Sequence, residues 1–163
     1  MKQLLCLILA AGILLLSGCG GAETNSVSFF YCRSAEDYQY FEETGVIQPE
    51  NRDITGHRGD IRYVVGLYLA GPLEEGLQSP FTRDTRLISV QEKDREILIQ
   101  LSDETETLPD ASFSLACACL SLTCMDVFSC QSVTISSGKR TITMNENNIL
   151  LYDTLLPQEA TGG

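Results

Sequence analysis

Histidine is almost missing from this chain. Among 163 residues it occurs once, as His57 in the glycine-flanked stretch GHRGD. General-base chemistry and nucleophile activation are thereby left with a single imidazole, and a lone histidine in such a segment reads as a solvated loop residue. No G-x-S-x-G elbow accompanies it. The stretch S-S-G-K at 136–139 lacks the preceding G-x4 of a phosphate loop and reads as a turn. The acidic pairs Glu42-Glu43 and Glu74-Glu75 are adjacent, so helix or strand points their carboxylates apart and they read as surface. No catalytic residue is assigned, no cofactor or metal is expected, no small-molecule substrate is identified, and the expectation is a protein that is not an enzyme.

Cations are scarce too. Eleven Lys and Arg stand against 22 Asp and Glu, a formal net charge of −11. A surface so acidic repels nucleic acid and anionic headgroups, so no nucleic-acid partner is expected and any membrane attachment must come from something other than charge. Long apolar runs are confined to the start, MKQLLCLILAAGILLLSGCGG. There one cation, Lys2, precedes an uncharged run from Leu4 to Leu16 and then small residues, the layout of a secretory signal. The run is about 13 residues, short of the roughly 18 to 20 that cross a bilayer as a helix.

Leu16-Ser17-Gly18-Cys19 has the form of a bacterial lipobox: a branched apolar residue, two small ones, then a cysteine whose sulfur takes a diacylglycerol. Cys19 is the expected lipidation site and first residue of the mature chain. Removal of residues 1–18 takes only Lys2 among the charges, leaving 10 cations against 22 anions, a net −12. The expected location is extracytoplasmic, anchored to the cell membrane by the N-terminal lipid.

The division along the chain is a lipoprotein signal over 1–18, a tether over 19–26, a first strand and polar connection over 27–59, a domain over 60–153 and a flexible tail over 154–163. VSFFYCR at 27–33 is rich in β-branched and aromatic residues and predicts a strand. The stretch 34–59 is polar and lacks sustained periodicity, apart from a helical turn or two over Asp37 to Glu43, and reads as a long connection. Ile61, Val64, Val65, Leu67, Tyr68 and Leu69 recur at helical spacing up to Gly71-Pro72. Two alternating runs follow, with Ile88 and Val90 on one face and Ile97, Ile99 and Leu101 on one face, joined at Lys93-Asp94-Arg95 as a hairpin. A second helix is expected over 112–128, then a second hairpin around Ser137-Gly138-Lys139. The order β-α-β-β-α-β-β predicts a single small α+β domain, a mixed sheet with two helices packed on one face.

The second helix holds most of ACACLSLTCMDVFSC, four cysteines in fifteen positions. The spacings C-x-C, C-x4-C and C-x5-C do not match the C-x2-C of structural zinc. Residues two apart on a helix point about 200° from each other, so Cys117 and Cys119 cannot share a metal or bond to one another. Phe113, Cys117, Leu120, Cys124 and Phe128 form one stripe, and the run reads as the buried face of the helix. The alternative is a disulfide from strand to helix through Cys32. Five thiols, Cys32, Cys117, Cys119, Cys124 and Cys130, remain in an oxidising compartment, and an odd count leaves at least one free. Metal binding or redox catalysis by the run is the third reading.

Residues 64–104 resemble the GerMN domain of spore-germination and sporulation lipoproteins. The resemblance is carried by Leu69-Ala70-Gly71-Pro72, Glu75-Gly76-Leu77, Ser79-Pro80, Thr85-Arg86-Leu87, Ser89-Val90 and Leu101-Ser102. It continues more weakly over 60–153, with Phe29-Phe30-Tyr31 as the first strand. Physically the motif is architectural. Gly71-Pro72 stops a helix, since proline lacks the next amide and restricts its predecessor, and Ser79-Pro80 turns the chain back to a strand. The resemblance implies a domain similar to ring-building motifs, and a non-enzymatic envelope module whose partners are other envelope or sporulation proteins. Sporulation members are expected to carry tandem copies, and this chain has room for one. A different expectation is a ligand- or cell-wall-binding envelope lipoprotein without a sporulation role.

Overall fold

The strand expected first is present as β1, Ser26–Arg33. The computed structural model describes residues 26–34 and 45–149. The signal segment, Cys19, the tether before Ser26, the turn over Asp37 to Glu43 and the tail 154–163 lie outside the described residues.

The connection after β1 holds a second strand, β2, Ile47–Asp53, antiparallel to β1 with Phe30 opposite Pro49. This corrects the reading of 34–59 as irregular. Ile47, Glu50 and Arg52 are buried there, so the inner positions carry charge and leave no apolar period to detect. Pro49 is tolerated because β2 is an edge strand. Helix α1, Ile61–Leu69, follows, and the Asp60 side chain caps it by accepting from the Tyr63 amide at 3.0 Å. Val64, Val65 and Tyr68 are its buried residues.

Strand β3 is only Leu77–Gln78, and it pairs with the end of β1. Strands β4, Leu87–Lys93, and β5, Glu96–Leu101, form the first expected hairpin. Asp94 and Arg95 make its two-residue turn with φ of 52° and 65°, the left-handed pair that fits the strand twist. Ile97, Ile99 and Leu101 all face the core. Ile88 does not: a bulge between Leu87 and Ser89 turns it outward, and it is 54% exposed. The expected shared face of Ile88 and Val90 is corrected accordingly.

After a 3-10 turn, Asp103–Thr107, comes helix α2, Asp110–Phe128. Strands β6, Ser132–Ser137, and β7, Arg140–Asn145, form the second hairpin around Gly138, and a short helix α3, Glu146–Ile149, follows. The fold class is α+β as expected, but the strands divide between two sheets instead of sharing one. The first has the order β2-β1-β3 and the second β4-β5-β6-β7, with β5 and β6 parallel.

Helix α2 lies between them, against β1 on one side and β6 and β7 on the other. It does not simply cover a face. The Ser28 amide donates to Asp126 Oδ2 at 2.8 Å and the Phe30 amide to Thr123 Oγ1 at 2.9 Å. Two helix side chains thus complete the edge of β1 that no strand pairs along this length. Enclosure from both sides explains why every residue from Ala116 to Ser121 is buried. The expected single stripe is therefore corrected to burial around most of the helix. By length and composition α2 is apolar enough to cross a membrane; here the apolar surface is the domain's core.

Candidate functional site

The motif residues converge where α1 ends. The Ala70 amide donates to Gly66 O at 3.1 Å and the Gly71 amide to Tyr68 O at 3.0 Å, closing the last turn. Gly71 then adopts φ +94°, which side chains resist, and Pro72 prevents continuation. Leu69, Ala70, Gly71, Pro72, Leu77 and Ser79 line one depression of about 710 Å³, together with Phe81 and Arg83. Gly76 borders a second, of about 240 Å³, and Pro80 a third, of about 300 Å³. These eight residues of the motif, from Leu69 to Pro80, thus sit around one corner of the molecule.

A buried ion pair fixes that corner. Glu50 Oε2 accepts from the amides of Leu73 and Glu74, both at 2.9 Å, while Oε1 takes Arg52 Nε. Arg52 reaches on to the Gly71 carbonyl at 2.8 Å and lies 5.7 Å above the Phe29 ring. Glu50 is 4% exposed and Arg52 7%. Two charges on an edge strand therefore hold the loop backbone at Gly71, Leu73 and Glu74. Sequence reasoning missed them because Glu50-x-Arg52 sits beside Pro49 in a stretch without apolar alternation. The one available signal was a pair of opposite charges at the spacing of one strand face.

The clamp has a consequence at the surface. Leu73 is 80% exposed although its amide is tied to Glu50, and it is flanked by the exposed Glu74 and Glu75. A large apolar side chain is thus held out into solvent from a fixed backbone.

The other candidates are dispersed. His57 is exposed and stacks on Tyr63, ring centroids 3.8 Å apart, with no acidic or nucleophilic partner among its described contacts. Ser136 and Lys139 stand at S-x-x-K spacing, but they flank the β6–β7 turn, and the Ser136 hydroxyl donates to the Ile99 carbonyl. Five cysteines are described, all buried and all free thiols. No group of three or more metal-binding side chains occurs among the described residues. Cys117 and Cys119 face different neighbours, as their helical spacing requires. Burial pushes the Cys117 thiol up to about 12, against a smaller opposing pull from the Arg140 charge. Cys119 meets Cys32 of β1, with the Sγ atoms 3.9 Å apart. The hydrogen bond between them lowers the Cys32 thiol and, with burial, raises that of Cys119. Burial also raises Cys124 and Cys130.

No protein-family model matches the chain, and no curated protein matches it significantly. Solved structures similar in fold include the following two. One is the tandem GerMN domains of the sporulation protein GerM from Bacillus subtilis, 18% identical, with a TM-score of 0.48 over 76% of this chain. This chain spans 43% of that one. The other is a protein from Clostridium perfringens classed as a lipoprotein, 17% identical, with a TM-score of 0.49 over 78% of this chain and 89% of its own. The first carries the domain that the sequence resembles. The likeness is one of fold.

Proposed function

We propose that this chain is a non-enzymatic, lipid-anchored envelope protein that works as an interaction module in sporulation or germination of a Gram-positive bacterium. Its anchor is the lipid on Cys19, and its partners are other envelope or sporulation proteins. The observation that carries the reading is the Glu50–Arg52 clamp, which presents Leu73 at 80% exposure beside two acidic residues. An apolar centre with a polar rim is the layout of a protein-contact surface. A loop held at three backbone positions gives up little further entropy on binding.

The test is complementation of a deletion strain, scored as heat-resistant spores and germination rate. The wild-type gene and His57→Ala should restore both, while Leu73→Asp should not. Restoration by Leu73→Asp, with failure of His57→Ala, would reverse the proposal. The open depression of about 710 Å³ favours a second reading, capture of a small solute or cell-wall fragment. Arg83→Ala separates the two: it should abolish retention on cell-wall fragments only if the second reading holds.

A further inference from the structure

Two thiols meet across the boundary between strand and helix. Cys32 stands near the end of β1 and Cys119 on α2, 87 positions apart in the chain, with their Sγ atoms 3.9 Å apart. They are not equally enclosed. Cys32 is 5% exposed and borders the depression of about 300 Å³ that Arg33, Ser79 and Pro80 also line, whereas Cys119 is 0% exposed behind it. We infer that Cys32 and Cys119 form a disulfide that fastens β1 to α2, with Cys32 meeting the oxidant and Cys119 closing the bond.

A disulfide needs sulfurs about 2.05 Å apart, so each side chain must swing by about 1 Å, which asks for rotation at the Cβ and not for separation of the elements. Cys117 cannot substitute, because two positions along a helix turn it about 200° away from Cys119. The hydrogen bond with Cys119 lowers the Cys32 thiol, which favours thiolate at the accessible member of the pair, as an attacking thiol requires.

The chemistry balances with a disulfide oxidant: glutathione disulfide in the test tube, a dithiol–disulfide oxidoreductase in the envelope. The Cys32 thiolate attacks one oxidant sulfur, forming a mixed disulfide and releasing one thiolate. Cys119 gives up its proton and attacks Cys32 Sγ, releasing the second. Two protein thiols are oxidised, the oxidant's S–S bond is reduced to two thiols, and the two protons end on those thiols. The pairing stands on the geometry alone; its occurrence in the cell rests on the extracytoplasmic location proposed above.

The full chain, purified in detergent, is equilibrated with glutathione disulfide, alkylated and mapped by mass spectrometry. The expected product has lost two hydrogens, joins Cys32 to Cys119 and leaves Cys117, Cys124 and Cys130 alkylated only after unfolding. Its melting temperature should rise by about 5 to 10 °C over the reduced protein. Cys117→Ser should still form the bond, and Cys119→Ser should stop at a mixed disulfide on Cys32. If Cys119→Ser does not fold, the wild-type peptide map decides alone. A map showing Cys32 joined to another cysteine, or Cys32 and Cys119 still free in folded, oxidant-treated protein, would overturn the inference. Acid-quenched cells supply the separate check: a pair that oxidises in vitro but is reduced in cells would overturn the proposed location and leave the pairing intact.

Discussion

Tyr31 and Tyr68 lie face to face, ring centroids 4.8 Å apart and planes 8° from parallel, and their hydroxyls serve the backbone of both elements. The Tyr31 hydroxyl donates to the Tyr68 carbonyl at 3.1 Å, and the Tyr68 hydroxyl donates to the Phe30 carbonyl at 2.9 Å. One ring comes from β1 and the other from α1, so the stack joins the first sheet to the helix that ends in the motif loop. Phe81, from that loop's far side, meets Tyr68 edge-on at 6.2 Å.

Removing one hydroxyl from this stack should cost more than a surface hydrogen bond. Tyr68→Phe leaves the Phe30 carbonyl without that donor in a partly buried site and should destabilise the domain by about 1 to 3 kcal/mol. Tyr68→Ala removes the ring as well and should cost about 3 to 5 kcal/mol. Urea unfolding followed by circular dichroism measures both. Equal costs for the two variants would mean that the ring contributes nothing beyond its hydroxyl.

The Glu50 clamp makes a sharper case. Glu50→Gln leaves Arg52 buried without its anion and should cost about 3 to 5 kcal/mol. Replacing both charges, as Glu50→Leu with Arg52→Leu, should cost less than the single change, since no uncompensated charge then remains. Hydrogen exchange at the Leu73 and Glu74 amides reports the local effect and should quicken in every one of these variants. A Glu50→Gln protein within about 0.5 kcal/mol of wild type, with slow exchange at both amides, would refute the clamp.

These two networks mark the border of what the sequence made legible. Elements whose buried face is apolar were readable: Ile97, Ile99 and Leu101 alternate, and Val64, Val65 and Tyr68 follow the helical period. Strand β2 was not, because its inward residues include Glu50 and Arg52, and charge on a buried face erases the alternation. The division into two sheets was hidden for a related reason. Thr123 and Asp126 look like ordinary polar interruptions in an apolar helix, yet their oxygens accept from amides on the edge of β1 and so set where the helix lies. The motif loop was recognisable from Gly71-Pro72 onward, but what holds it lies about twenty residues upstream.

Lipidation at Cys19 is testable without any structure. Cells expressing the chain and fed radiolabelled palmitate should label it and send it to the detergent phase, and Cys19→Ala should do neither. The apolar run before the lipobox is too short to anchor a helix across a bilayer, so the variant should appear in the soluble fraction or remain as precursor. Undiminished labelling of Cys19→Ala would place the lipid elsewhere.

Alkaline pH should weaken the reduced domain, and the sign follows from its buried acids. Burial raises Cys117 from 9.0 to about 12 and pushes up Cys124, Tyr31 and Tyr68 as well. In the unfolded chain these groups lose their protons near ordinary values, so above about pH 9 the unfolded state binds fewer protons than the folded one and stability falls. The stabilisation is complete below the unfolded values and is lost as pH climbs toward the folded ones, for Cys117 between 9 and about 12. Each group that releases its proton only on unfolding contributes a slope of about 1.4 kcal/mol per pH unit. Cys32 acts in the opposite direction, since its thiol is lowered, and the Cys32–Cys119 disulfide removes both members from the titration. Urea midpoints of reduced protein should therefore drop steadily from pH 8.5 to 11, and Cys117→Ala should show a shallower drop. Midpoints that stay level across that range would show that these side chains reach solvent in the folded state, against the enclosed α2 on which the fold depends.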